Sequence, residues 1–220
     1  MPTWETIYSE LLHLHGQRLS HALQPWEPEL LLLLVISLAY LLLVEDWRLA
    51  LLAWVSTGIA VGGLLVALLP VPWALSRTIA VALEDALLWM GARRWPHIRR
   101  GCCLGLWPRA AIVAITAIAA WQLRPYAHRF WLEPVHADAV LALVAAALLL
   151  LTLHGTTFHG TLGLLLLIQA GILVLAPLFI PRAWLYIITP IDVAVAAVGS
   201  MALASEGVAV RKRLEEGRRT

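Results

Sequence analysis

A chain of 220 residues that is 61% hydrophobic and only 14% charged is a poor match for a soluble domain, where about a quarter of residues carry charge. Its mean hydropathy of +0.81 points to lipid as the main solvent. The net charge of +2 gathers into no basic patch of the kind that binds nucleic acid, so the basic residues report membrane topology.

The first segment, TWETIYSELLHLHGQRLSHALQ, places Trp4, Ile7, Leu11, Leu12, His15, Leu19 and Leu23 at helical spacing. It predicts an amphipathic helix over residues 1–24, lying on the outer membrane surface or docked on a partner subunit. The segment lacks the basic start and continuous apolar core of a classical signal peptide.

Apolar runs then approach the ~20 residues needed to cross a ~30 Å hydrocarbon layer. They cover 29–44, 47–69, 73–90, 102–121, 137–153, 161–180 and 183–205. The breaks are chemically marked: EDWR at 45–48, PVP at 70–72, GARRWPHIRRG at 91–101, RPYAHRFWLEPVH at 124–136 and IPR at 180–182. The predicted fold is therefore all-α, a polytopic bundle of about seven transmembrane helices over 29–205. The third run is the most polar, with Arg77, Glu84 and Asp85.

Seven crossings put Arg48, Arg93, Arg94, Arg99, Arg100, Arg109, Arg211, Lys212, Arg213, Arg218 and Arg219 on one side. Only Arg18, Arg124, Arg129 and Arg182 fall on the other. The richer side is cytoplasmic by the positive-inside rule. The N-terminus is thus expected outside, and residues 206–220 form a basic tail inside. Trp26, Trp47, Trp73, Trp107, Trp131 and Trp184 stand near span ends, as interfacial belts require.

Motifs for independent chemistry are missing. Cys102 and Cys103 are adjacent, with no CxxC, so helix packing is the expected role rather than a metal cluster. His13 and His15 point to different helix faces, His154 and His159 bracket a short loop, and no histidine pair has the i, i+4 ligand spacing. There is no glycine-rich phosphate loop and no nucleophile elbow. No catalytic residue, cofactor site or metal site is expected, and the chain does not read as an enzyme.

The polar residues inside the spans need a reason. In YIITPIDVAVAAVGSMALASEG, Asp192 lies near the centre of the last helix, where insertion of a charge costs about 2.5–3.5 kcal/mol. Ala196, Gly199 and Ser200 share its stripe, and such small residues let helices approach closely. Asp192 should therefore face protein. Pro190 lies two residues earlier and offers no backbone donor. On the preceding helix, Gln169 should lie about 12 Å from the inner end and Asp192 about 14 Å from the outer end. In a ~30 Å core the two come within about 5 Å of one level, where they would share a proton or satisfy each other. Arg77 and Glu84 are seven residues apart on one face, with Asp85 beside them. They form either a charged relay stripe within the bundle or a set of side chains snorkelling to the two interfaces. Glu45, Asp46, Asp138 and Glu206 lie near span ends and are expected to be interfacial.

The last three spans, LHGTTFHGTLGLLLLIQAGILVLAPLF and PRAWLYIITPIDVAVAAVGSMALASEGVAVRK, resemble the three-span K-type subunit of respiratory complex I. With the four spans before them, including DWRLALLAWVSTGIAVGGLLVALL, residues 29–212 resemble component E of hydrogenase-4. The resemblance implies a bacterial inner-membrane subunit in which membrane carboxylates link redox chemistry to proton movement. Asp192 matches the acidic residue of the final helix. Gln169 falls where the K-type subunits carry their other key glutamate, and a glutamine cannot exchange a proton in the same way. Arg77 is the nearest match to the lysine often found in the third span, and an arginine stays protonated. The loop HGTTFHG lacks the basic residues usual there.

The resulting expectation is a non-catalytic subunit of a complex I-like or membrane-bound hydrogenase-like redox complex. Its partners would be lipid, antiporter-like subunits and quinone- or hydrogenase-module chains, with cofactors held by those chains. The expected proton or cation path comprises Asp192, Gln169, Arg77, Glu84 and Asp85. A purely structural subunit and a small independent transporter are the alternatives, although no clear inverted repeat supports the last.

Overall fold

A backbone crossing hydrocarbon must satisfy its own N–H and C=O groups, which leaves these apolar runs the helix. The computed structural model of the protein describes residues 24–93, 105–128, 133–153, 156–177 and 183–216. Among them are seven α-helices and no strand. These are α1 (Glu27–Leu43), α2 (Trp47–Leu68), α3 (Val71–Arg93), α4 (Leu106–Ala127), α5 (Pro134–Leu153), α6 (Thr157–Leu175) and α7 (Ala183–Glu216). A 3₁₀ turn over Gln24–Trp26 precedes α1. The amphipathic helix expected over 1–24 lies outside the described residues apart from Gln24, as do Cys102, Cys103, His154 and residues 217–220.

Local chemistry sets several boundaries. The carboxylate of Asp46 accepts from the backbone N–H of Arg48 at 3.0 Å and caps α2. Thr156 caps α6 by accepting from His159 N at 3.4 Å. The sixth run, expected to reach 180, is helical only to Leu175. The last helix, expected to end at 205, continues to Glu216, because VAVRKRLEE contains no proline or glycine to stop it. The fourth helix is displaced towards the C-terminus of its expected 102–121, running from Leu106 through Pro125 to Ala127.

Six of the helices are long and apolar enough to cross a membrane. The exception is α3. Its 23 residues give a length of about 34 Å, but Arg77, Glu84, Asp85 and Arg93 dilute its apolar character.

The helices pack as two rows. In one, α1 lies beside α2 and α2 beside α3; in the other, α5 lies beside α6 and α6 beside α7. The rows face each other, with α1 on α5, α2 touching α6, and α3 running along α7. Leu34, Trp54, Leu64, Leu88, Leu143, Phe158 and Leu162 fill the space between them and are fully buried. Helix α4 stands apart, resting mainly on α5 and α1. No residue in the apolar stretch of α4 is buried, against 61% of the corresponding stretches of α2 and α6.

Two glycines let the helices around α7 come close. A Cβ on Gly91 of α3 would lie 2.7 Å from the backbone oxygen of Ser200, and one on Gly199 would collide with the side chain of Thr161. Both contacts are of the small-residue kind that supports helix association in lipid. Gly91→Ala should therefore destabilise the bundle by about 1–3 kcal/mol despite alanine's better helix propensity. Gly171→Ala is the matched control, since a Cβ there meets nothing within 4 Å. Thermal denaturation of both variants in the same detergent checks the expectation; equal melting temperatures would contradict the close crossing.

Candidate functional site

The sequence places Arg77 and Glu84 two helical turns apart on α3, and the fold turns that stripe towards α7. Arg77 is 2% exposed, and Glu84, Gln169 and Asp192 are each 0% exposed. The Arg77 guanidinium is the hub. Its Nη2 donates to Asp192 Oδ2 on α7 in a direct ion pair. The same nitrogen lies 3.4 Å from Glu84 Oε1. Its Nε–H donates to Gln169 Oε1 on α6 at 3.5 Å, a long contact. One cation thus engages side chains on three helices.

The geometry answers the two readings of the α3 stripe. Arg77 and Glu84 are enclosed, so neither snorkels to an interface. Asp85 is different. It lies about 100° further round the helix, is half-buried, and takes no part in the ion pairs around Arg77. The direct Asp192–Gln169 pairing expected from helix depths is also modified, because Arg77 stands between the two and engages both. A charged donor on a carboxylate makes a stronger hydrogen bond than an amide does, which is why the arginine takes that place. The small residues expected to shelter Asp192 do so: Ala196 and Gly199 are buried and Ser200 is partly buried.

The set retains unused hydrogen-bonding capacity. Arg77 Nη1, both Glu84 carboxylate oxygens, Asp192 Oδ1 and Gln169 Nε2 are buried without a protein hydrogen-bond partner. Most buried polar atoms have one. Chemically the cluster offers one fixed cation, two carboxyl groups able to exchange a proton, and an amide that can only donate and accept hydrogen bonds.

The other acidic residues at span ends have local roles. Glu45 Oε1 lies 2.6 Å from Nη2 of the buried Arg109 at the start of α4. Asp138 on α5 accepts from Arg124 Nε at 2.9 Å, faces Arg124 Nη2 at 2.7 Å, and lies 3.0 Å from His128 Nε2. Glu206 accepts from the hydroxyl of Thr157. Sequence reading missed the Arg124–Asp138–His128 group because its members lie on either side of a connection and form no local motif. A separate apolar groove of about 450 Å³ runs between α1, α4 and α5, lined in part by Leu31, Val35, Ala117 and Ala142, with Arg124 and Asp138 as its charged lining residues. None of the Arg77 cluster lines it.

No family model, curated protein or solved structure matches the chain.

Removing one member of a buried ion pair strands the other and costs about 3–5 kcal/mol. Arg77→Leu should incur such a loss, since it leaves Asp192 and Glu84 enclosed without a cation. Adding Asp192→Leu to that variant should recover part of the loss. A double-mutant cycle on unfolding free energy in detergent measures the coupling; additive effects would show that the two side chains do not depend on each other.

Proposed function

We propose that the protein is a non-catalytic integral membrane subunit of a complex I-like or membrane-bound hydrogenase-like redox assembly. Its own contribution is helix packing and a segment of proton or cation path through the Arg77 cluster. The observation that carries this reading is a permanently charged guanidinium, shared by two carboxylates and an amide, in the interior of a bundle built for lipid. Intramembrane ionisable groups are costly and by default mark ion or proton routes.

On this reading α3 is a seventh crossing. Its length suffices, and Arg77 and Glu84 point into protein, which is how a helix with several charges crosses a bilayer. Seven crossings leave the two ends of the bundle on opposite sides, with the N-terminus outside and the C-terminus in the cytoplasm of a bacterial inner membrane. The end-to-end pairings support this alternation. On this orientation the Glu45–Arg109 and Thr157–Glu206 contacts would fall at the inner end, and the Arg124–Asp138–His128 group at the outer end.

Arg77 is the fixed charge of the path, because arginine does not release its proton. Asp192 and Glu84 are the exchangeable members, and both face Nη2 of that arginine. Protonation of Asp192 weakens its hold on Nη2 and strengthens the claim of Glu84, and the reverse holds. The guanidinium therefore couples a group about 14 Å along α7 to one about 20 Å along α3. The partners on this reading are antiporter-like subunits and quinone- or hydrogenase-module chains, which hold the cofactors.

Gln169 favours a second reading. An amide at this place cannot exchange a proton as a carboxyl group does, and with Arg77 held by side chains of α3, α6 and α7 the cluster serves equally well as a clamp joining them. Such a subunit would be purely structural. Asp192→Asn, introduced into the intact assembly, separates the two. In inverted membrane vesicles it should lower proton translocation several-fold while the complex still assembles. Unchanged translocation leaves the clamp alone. Purification of the wild-type chain in mild detergent should bring redox-complex subunits with it; an active homo-oligomer without them would instead identify a self-contained transporter.

A further inference from the structure

The geometry points to a divalent transition-metal site at the mouth of the bundle, formed by Glu27, Glu133 and His136. Glu27 opens α1, Glu133 immediately precedes α5, and His136 lies in the first turn of α5. One ligating atom from each falls within 4.8 Å of the other two. The i, i+4 criterion passes over this group, because Glu133 and His136 are three residues apart at the start of α5 and Glu27 comes from α1.

His136 carries the argument. The ring is 0% exposed, and its Nε2 lies 3.2 Å from the backbone oxygen of Leu64 on α2. A carbonyl only accepts, so in the neutral ring Nε2 holds the proton and Nδ1 presents its lone pair. That Nδ1 is buried and has no hydrogen-bond partner. It faces Glu133 Oε2 at 3.8 Å, too far for a hydrogen bond. Two ligands on one tetrahedral ion, each bound at 2.0–2.2 Å, stand about 3.4 Å apart. The observed gap is close to that spacing. A histidine whose second nitrogen donates to a backbone carbonyl is the arrangement that fixes tautomer and ring direction in metal sites.

Helix-end electrostatics explain part of the cluster but not all of it. An acidic residue in the first turn of α1 is favoured by the helix dipole, which accounts for Glu27 by itself. It does not account for a fully enclosed imidazole nitrogen that faces the Glu133 carboxylate at 3.8 Å with Glu27 close by. Glu27 is only 8% exposed and forms no ion pair with a basic side chain among the described residues. One imidazole and two carboxylates suit Zn²⁺, Mn²⁺ or Fe²⁺, with at least one coordination position left for water; Zn²⁺ binds more tightly than the other two. The ion would tie α1 to α5, and so one row of helices to the other. The site is independent of the Arg77 cluster and of the function proposed for it.

The test uses the full chain, freed of any affinity tag, stripped of metal and reconstituted in lipid nanodiscs. After equilibration with Zn²⁺ and desalting, the wild type should retain about one ion per chain and melt at a higher temperature. His136→Gln should abolish both effects, and Glu133→Gln should weaken zinc affinity at least tenfold, whereas His128→Gln should retain the ion. Should His136→Gln fail to fold, Glu133→Gln still decides the matter, since Glu133 is 68% exposed and its loss leaves the core intact. Zinc retention unchanged in Glu133→Gln, or no retention by the wild type above that of a Glu27→Gln/Glu133→Gln/His136→Gln variant, overturns the assignment.

Discussion

The guanidinium of Arg77 sits where no water-facing surface can accept it, and the rest of the bundle must accommodate that fact. An unpaired charge transferred to an apolar interior is too costly to leave uncompensated. Compensation comes from Asp192 on α7, Glu84 on α3 itself and Gln169 on α6. These partners fix more than a charge balance. They require α3 and α7 to lie side by side with a defined rotation, and they bring α6 against the same point. Gly91 and Gly199 make the approach sterically feasible by removing the Cβ atoms that would hold the backbones apart.

The same economy of charge governs α4 by different means. That helix has little buried surface, and its large apolar side chains, among them Trp107, Ile115, Ile118 and Trp121, are exposed. Apolar burial does little to place it. Ion pairs stand at both of its ends instead, Arg109 with Glu45 at one and Arg124 with Asp138 at the other. Arg124 also lies over the ring of Trp121, 4.9 Å from its centroid, a cation–π contact suited to the membrane interface. Lipid or a neighbouring subunit is the natural cover for the outer face of such a helix. This fits the proposed place of the chain within a larger assembly.

The proposed path differs from a chain of carboxylates in having a fixed cation at its centre. A lysine in that place can release its proton; an arginine does not. Movement along such a cluster consists of changes in which carboxyl group the cation prefers, with the amide of Gln169 holding the guanidinium plane. The same features that make Arg77 a poor carrier make it a good pivot. Whether the pivot turns or is locked is the difference between a conducting and a structural subunit.

Fold class was legible in the chain because hydrophobic length is a one-dimensional property: a run of apolar residues between EDWR and PVP declares a helix without reference to anything else. The stripe of Asp192, Ala196, Gly199 and Ser200 was likewise readable, since 3.6-residue periodicity alone puts them on one face. Helix depth brought Gln169 and Asp192 to a common level. What periodicity does not contain is the identity of the facing helix. The position of Arg77 between those two residues, the exclusion of Asp85 from the cluster, and the meeting of Glu27, Glu133 and His136 all depend on which helices become neighbours. That choice is made by close packing and by the need to pair buried charge, both of which act between segments far apart in sequence, and only the tertiary structure settles it.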